Sequence, residues 1–265
     1  SRGVHRGGME VFAVDGLPEV REGDEVATLV AEQAALHEGD VVCVASTIVS
    51  KAAGRGADLA DFPAGERARR IADGIAEIAG EEKDPRFAQA IIEESEEILT
   101  EAPFILAVTR FGHITVNAGI DRSNVPGSDL LLLPEDPTDC AERIRAGLRE
   151  RLDVDVAVVV TDTSGRPFRL GQRGVALGWA GMAAARDWRG EYDREGRELG
   201  ATVQAVVDEL AAAANLVTGE GAGGTPVAVV RDFDFGDHAG SDELYRPNDK
   251  DVVRDALREW SHVRD

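Results

Sequence analysis

Apolar and polar positions along the chain alternate between two periods. Seven short apolar runs, VFAV (11–14), VVCVAS (41–46), ILAVTR (105–110), HITV (113–116), LLLL (130–133), VAVVVT (156–161) and PVAVVR (226–231), are bounded by Gly, Pro and Asp and predict strands. Between them, apolar residues recur at three- and four-residue spacing over 25–37, 66–80, 87–100, 138–152, 201–217 and 249–262, which predicts helices. Within 87–100, Ile91, Ile92, Ile98 and Leu99 mark a buried helix face, and the glutamates of EESEEILTE (93–101) form its solvated side. FGH links ILAVTR to HITV as a hairpin, so the sheet contains antiparallel pairing. The predicted fold class is α+β, a mixed sheet packed with helices. GRGADLADFPAG (54–65) and VALGWAGMAAARDW (175–188) carry the weakest pattern, and no stretch has the composition of a linker. Residues 9–265 are expected to form a single unit, with two subdomains an option, and SRGVHRGG (1–8) is set aside as a tag or N-terminal extension.

Charge changes the picture more than hydropathy does. The 265 residues carry 50 acids against 29 Lys and Arg, a formal charge of -21, and only Lys51, Lys83 and Lys250 are lysine. An acidic, lysine-poor surface over a 43% hydrophobic chain fits a high-salt cytoplasm, where the Debye length shrinks to about 3 Å at 1 M and self-repulsion weakens. Most carboxylates then serve solvation. Clustered bases for phosphate backbones are missing, which argues against nucleic acid. No run approaches the roughly 18 apolar residues of a membrane span, so a cytoplasmic protein is expected. Cys43 and Cys140 lack partners at metal-ligand spacing and are expected to be reduced and structural.

Four segments carry candidate chemistry. DGLP (15–18) follows a strand and turns backbone amides outward. STIVSK (46–51) also follows a strand; Lys51 stands where this chain ordinarily uses arginine, a compact ammonium suited to phosphate oxygens, with the Ser46 and Thr47 hydroxyls nearby. VNAGIDRSNV (116–125) pairs with TDTSGRPFRLGQRG (161–174): Asp121 and Asp162 with the Thr163 hydroxyl suit Mg or Mn. Asp162 and Thr163 follow VAVVVT at its carboxyl end, where open α/β sheets bind ligands. Arg166, Arg169 and Arg173 are candidates for gripping a carboxylate or phosphate of the substrate.

GEGAGG (219–224) satisfies G-x-G-x-x-G, but a dinucleotide fingerprint follows a strand and opens a helix. Here a helix runs in and a strand leaves. The helix therefore presents its negative end, which repels bare phosphate, whereas Glu220 and exposed carbonyls suit a cation that bridges phosphates. G-x-x-x-x-G-K-[ST] and G-x-S-x-G do not occur, and the five histidines show no metal or triad spacing.

Taken together, DGLP with EGD (22–24), GDVVCVASTIVSKAAGR (39–55), NAGIDRSNVPG (117–127), VVVTDTSGRPFRLGQ (158–172) and LVTGEGAGGTPVAVVR (216–231) resemble the coenzyme F420-0:L-glutamate ligase family, in the same order and from Met9 to about Arg231. The halophilic archaeal composition agrees with it. The resemblance implies a fold unlike the P-loop GTPases and a metal-dependent homodimer. It implies a GTP-dependent amide ligase that adds L-glutamate to coenzyme F420-0, then more through a gamma-linked amide, releasing GDP and phosphate. Carried over by position, Asp15, Gly16, Leu17, Pro18, Ser46, Thr47, Lys51, Asn124, Thr218, Gly219, Gly221, Ala222 and Gly223 bind the nucleotide. Asp121 and Asp162 hold one divalent ion, Thr163 and Glu220 serve a second, and potassium is a further candidate. Asp121, Asp162 and Lys51 are the catalytic set. The family often has Glu at position 15 and Gln at position 220, where this chain has Asp15 and Glu220. Two other readings stay open: an NAD(P)-dependent oxidoreductase built on 219–224, and a noncatalytic acidic binding protein.

Overall fold

The computed structural model describes residues 8–122, 126–219 and 224–260. The chain divides into two compact units, Ser1–Ala52 with Asp136–Leu244, and Ala53–Glu135 with Tyr245–Asp265.

The first unit is built on a five-stranded sheet. It begins with β1 (Glu10–Ala13), α1 (Val26–Gln33), β2 (Val41–Ala45) and α2 (Ser46–Ala52), and resumes with α5 (Pro137–Leu152), β8 (Ala157–Arg166) and β9 (Arg169–Ala180). After them come β10 (Ala185–Asp187), β11 (Val203–Gln204), α6 (Val206–Thr218), β12 (Val227–Arg231) and β13 (Ala239–Ser241). The sheet order is β1-β12-β2-β8-β9; β2 and β8 are parallel and every other pair is antiparallel. Both faces are covered, which is why VVCVA and AVVV read as unbroken apolar runs rather than alternating ones. Val42, Val44, Val158, Val160, Val227 and Val229 pack against Val30 of α1 and Ala141, Ile144 and Leu148 of α5. The intervening Val41, Cys43, Val159, Ala228 and Val230 pack against Val206, Val207, Leu210 and Ala214 of α6. Cys43 is a free thiol in that layer, and burial pushes it up to about 12, in line with a structural role.

One ion pair locks the sheet at the end where β12 finishes. Arg231 donates from Nε to Asp40 Oδ1 at 3.0 Å and from Nη2 to Asp40 Oδ2 at 2.7 Å, and the His37 amide donates to Asp40 Oδ2 at 2.8 Å. Burial alone pushes the Asp40 carboxyl upward; the Arg231 and His37 hydrogen bonds more than reverse it, and it lies below its ordinary value.

The second unit contains β3 (Gly56–Ala57), α3 (Glu66–Ala79), α4 (Pro85–Glu93), β4 (Ser95–Thr100), β5 (Leu106–Thr109), β6 (Ile114–Val116), β7 (Leu130–Leu131) and α7 (Val252–Arg258). The antiparallel sheet β4-β5-β6 and the pair β3-β7 enclose a core with α3 and α4 that includes Ile71, Ile75, Phe87, Ile91, Ile105 and Leu130. The FGH hairpin forms as expected between β5 and β6. The helix expected over 87–100 does not: α4 stops at Glu93, and residues 95–100 are a strand. The Ser95 hydroxyl bonds the Ile91 carbonyl at the helix end, and Ile98 and Thr100 pair with β5. Long-range pairing of β-branched residues has overridden a helical spacing that the apolar residues on both sides of the break happen to continue. In the first unit the segment 175–188 holds two strand pieces: residues 175–180 end β9, which runs back along β8 as a long antiparallel ribbon, and residues 185–187 form β10.

Glu97 of β4 takes hydrogen bonds from Arg258 Nε at 2.5 Å and Arg254 Nη2 at 2.6 Å, fastening α7 to the sheet. The Arg258 bonds, helped by Arg254 and opposed by burial, lower the Glu97 carboxyl from an ordinary 4.5 to about 2. A depressed folded-state value stabilises the fold above the unfolded value, so this contribution is complete above pH 4.5 and is lost as the pH falls toward 2. Glu97→Gln should cost about 1–2 kcal/mol at neutral pH, after allowance for solvent screening, and that difference from the parent should shrink steadily below pH 4.5 in denaturant titrations. Asp40→Ala leaves the Arg231 guanidinium without its carboxylate in a half-buried site and should lower the unfolding free energy by about 3 kcal/mol in the same measurement.

Candidate functional site

The directions of the strands decide where the sequence motifs go. Because β1, β2 and β8 run one way and β12 runs against them, the carboxyl ends of the first three and the amino end of the fourth lie at one edge of the sheet. Hydrogen bonds fix the row: Val14 N donates to Val227 O at 2.9 Å, Ala45 N donates to Pro226 O at 2.8 Å, and Ala45 lies opposite Thr161 in the parallel register. Each of those residues leads directly into a motif. Val14 opens into Asp15, Gly16, Leu17 and Pro18; Ala45 into Ser46 and Thr47; Thr161 into Asp162 and Thr163. Pro226 is the end of the Gly-rich segment that begins at Thr218 and Gly219. Four motifs separated by up to two hundred residues of sequence thus meet at one sheet edge.

Asp15, Gly16 and Pro18 are exposed, with Gly16 at φ 82°, while Leu17 packs onto the core and anchors the turn. Ser46 is buried at the first turn of α2, Thr47 is half-buried, and Lys51 sits one turn on. Lys51 Nζ donates to Glu19 Oε1 at 2.6 Å, tying α2 to the residue that follows DGLP. Asp162 and Thr163 lie within β8 rather than after it, a correction to the sequence reading: the ribbon with β9 prolongs the strand. They are still the first residues past the parallel ladder, because pairing with β2 ends at Thr161. Across the ribbon Thr163 faces Gly174, and a Cβ on Gly174 would stand 2.3 Å from the Ala211 carbonyl oxygen, so glycine lets α6 approach β9, the partner of the strand that carries Asp162. Asp208 of α6 accepts from Ala176 N at 2.9 Å, and burial holds its carboxyl above the ordinary value; this residue was missed because one more acid is no signal in so acidic a chain.

Arg166, Arg169 and Arg173 belong to the far part of the ribbon, not to an irregular loop. Arg166 and Arg169 face each other across its tip, where Phe168 and Leu170 are fully exposed. The alternation of Val175, Leu177 and Trp179 was the available sign that this stretch is strand.

Asp121 belongs to the second unit. Its backbone forms a two-bond bridge with Leu131, and the turn leading to it holds Asn117, Ala118 and Gly119 at φ 55°, 53° and 69°. Asn124, Glu220, Gly221, Ala222 and Gly223 lie outside the described residues. Among the described residues no group of three His, Cys, Asp or Glu converges on a point that would hold a metal ion. Asp162 and the Thr163 hydroxyl are both hard-oxygen donors of the kind Mg uses, but as successive residues of β8 they point to opposite faces of the ribbon and do not form one donor pair.

The G-x-G-x-x-G segment stands between α6, which ends at Thr218, and β12, which starts at Val227, so the strand-then-helix order needed for dinucleotide binding is reversed. Among the described residues no helix is long and apolar enough to cross a membrane. The family model of F420-0:Gamma-glutamyl ligase matches residues 16–232. The chain belongs to the F420-0:gamma-glutamyl ligase family. It is 76% identical over 257 residues to the coenzyme F420:L-glutamate ligase of Haloarcula marismortui, covering 97% of this chain and 100% of that protein. It is 68% identical to the one from Natronomonas pharaonis, over 96% and 98% of the two chains, and 45% identical to the one from Archaeoglobus fulgidus, over 94% and 98%. The α+β architecture is the family's fold, and the expected halophilic character agrees with relatives from salt-loving archaea.

At the turn before Asp121, a Cβ on Gly119 would fall 2.5 Å from Leu133 Cδ1 in a left-handed conformation. Gly119→Ala should therefore destabilise the chain by about 2–4 kcal/mol, combining backbone strain with overpacking, and a smaller loss by thermal or chemical denaturation would show that the turn rearranges at low cost.

Proposed function

We propose that this ligase forms the amide between L-glutamate and coenzyme F420-0 and uses GTP to do so, releasing GDP and phosphate. The observation that carries the reading is the meeting of DGLP, Ser46-Thr47, Asp162-Thr163 and Thr218-Gly219 at one sheet edge in a member of this family. A carboxylate does not condense with an amine in water until one of its oxygens becomes a leaving group. Attack of the precursor's carboxylate oxygen on the γ-phosphorus expels GDP and gives an acyl phosphate. The glutamate amine then attacks the acyl carbon, the C–O bond to phosphate breaks, and the amine proton leaves to a base. Repetition on the side-chain carboxylate of the added glutamate gives the gamma-linked product.

In this reading the backbone of the turn Asp15–Pro18 and the hydroxyls of Ser46 and Thr47 hold the nucleotide, and Lys51 reaches its phosphates by exchanging Glu19 for an oxygen of the tail. Thr218, Gly219, Gly221, Ala222, Gly223 and Asn124 complete the nucleotide contacts on the family resemblance. Asp162 and Thr163 supply oxygen donors for Mg or Mn, Asp121 and Glu220 are further donors on the resemblance alone, and potassium is a candidate monovalent partner. When bound, such ions neutralise the charge that builds on the transferred phosphoryl group. Arg166, Arg169 and Arg173 grip an anionic group of the substrate. Homodimer formation is supported by the ribbon tip, where Phe168 and Leu170 lie in water and Arg166 opposes Arg169, an arrangement that favours cover by another surface.

The test is glutamate addition followed by mass spectrometry in molar potassium chloride, with GTP against ATP and with and without manganese. GTP and a divalent ion should both be required. Asp162→Ala should reduce turnover by at least about a thousandfold, and Asp162→Asn, which keeps the side-chain shape within β8, should lose turnover similarly while its melting temperature stays close to the parent's. Normal turnover by that variant would remove Asp162 from the site, and turnover with ATP alone would remove the guanine nucleotide.

A further inference from the structure

The second unit holds a cationic site that the reading above leaves unassigned. Lys83 precedes α4 and is half-buried, with Nζ 5.0 Å from the centroid of the buried Phe87 ring. The Arg122 guanidinium stands 5.1 Å from the centroid of the same ring. Lys83 Nζ donates to Asn117 Oδ1 at 3.1 Å, and among the described residues the Asn117 amide nitrogen, the side chain's donor, has no acceptor. Three donors of one kind are therefore gathered beside the turn that carries Asp121.

Structural explanations fall short of accounting for them. A cation on an aromatic ring contributes modestly, and here two like charges share one ring. Burial first, and then the Arg122 charge, pull the Lys83 ammonium below its ordinary value, against the opposing pull of Glu81. Among the described residues neither Lys83 nor Arg122 has a carboxylate within ion-pair distance. Asp84, the acid that Arg122 influences, already binds Arg86 through both oxygens, at 3.1 and 2.8 Å. In a chain with 50 acids and three lysines, a half-buried lysine set beside an arginine and capped by a neutral amide is an arrangement that lacks an anion.

We propose that Lys83, Arg122 and Asn117 form an oxyanion subsite that takes a carboxylate or phosphate group of a reactant. The guanidinium offers a two-bond fork, the ammonium a point charge, and the amide a neutral donor that sets orientation. The candidate reactants rest on the ligase reading: the phosphate tail of GTP, a carboxylate of L-glutamate, and the phosphodiester of coenzyme F420-0.

Binding of each of the three to the full chain, measured by calorimetry in molar potassium chloride, separates them. Lys83→Met and Arg122→Met should each weaken one ligand about tenfold to a hundredfold and leave the other two unchanged, and the affected ligand identifies the source of the oxyanion. The melting temperature of Lys83→Met should hold or rise, because the variant removes a poorly solvated charge and keeps the chain length. Unchanged affinity for all three in both variants overturns the subsite, as does failure of the parent chain to bind any of them. A fall of several degrees in melting temperature with all three affinities reduced together also overturns it, by assigning Lys83 to folding. A chain that binds these ligands at this site yet forms no amide bond refutes the ligase reading and leaves the subsite standing.

Discussion

The structure depends on one register: β12 inserted antiparallel between β1 and β2, with β2 parallel to β8. Strand direction converts residues 15–18, 46–47, 162–163 and 224–226, scattered in sequence, into neighbours along an edge. A slip of one residue in any of these pairings would turn Val42, Val44, Val158 and Val160 from the α1–α5 face to the α6 face. Both faces are apolar, so alternation alone defines the register weakly. The polar lock is the Asp40–Arg231 pair at the opposite edge from the motifs, where β12 ends. Because that pair binds a specific β12 residue to the residue just before β2, it fixes the offset that brings Pro226 level with Ala45.

The separation of the lock from the working edge has a physical use. The motif edge consists largely of turns, glycines and hydroxyls, which bury little apolar surface, and in the proposed reading it opens backbone amides to a ligand. Stability for the unit therefore comes mainly from elsewhere, from two helical layers and a bidentate ion pair at the opposite edge. Gly174 and the buried Ser46 show how closely the two requirements approach each other: α6 and α2 pack tightly beside the segments that stay polar.

The elements legible in the sequence were those whose pattern is local. The apolar runs at 41–46, 156–161 and 226–231, the FGH hairpin and the helix over 138–152 were all readable, because burial on both faces, a tight turn and helical apolar spacing each leave a signature within a short stretch. The motif order also identified the family. What was not legible was set by pairing at a distance. Ile98 and Leu99 continue the spacing of Ile91 and Ile92 as well as any helix would, and only the presence of β5 makes them strand. The β8–β9 ribbon was hidden because arginines and glycines break its apolar alternation beyond the core, where it runs out into water. Asp208 and Lys83 gave no signal for a related reason: their meaning lies in what surrounds them, a backbone amide for one and a second cation for the other.

High salt sharpens the distinction between charges that solvate and charges that act. With screening over about 3 Å at 1 M, an exposed carboxylate or guanidinium has little influence beyond its own hydration shell. Only charges held partly out of solvent at contact distance keep their strength. Lys51 against Glu19, Asp40 against Arg231, and Lys83 beside Arg122 and Asn117 are of that kind. The lysines follow the same logic: Lys250 is exposed, but Lys51 and Lys83 are half-buried, each holding a compact ammonium against a specific oxygen, a task that a diffuse guanidinium does less well.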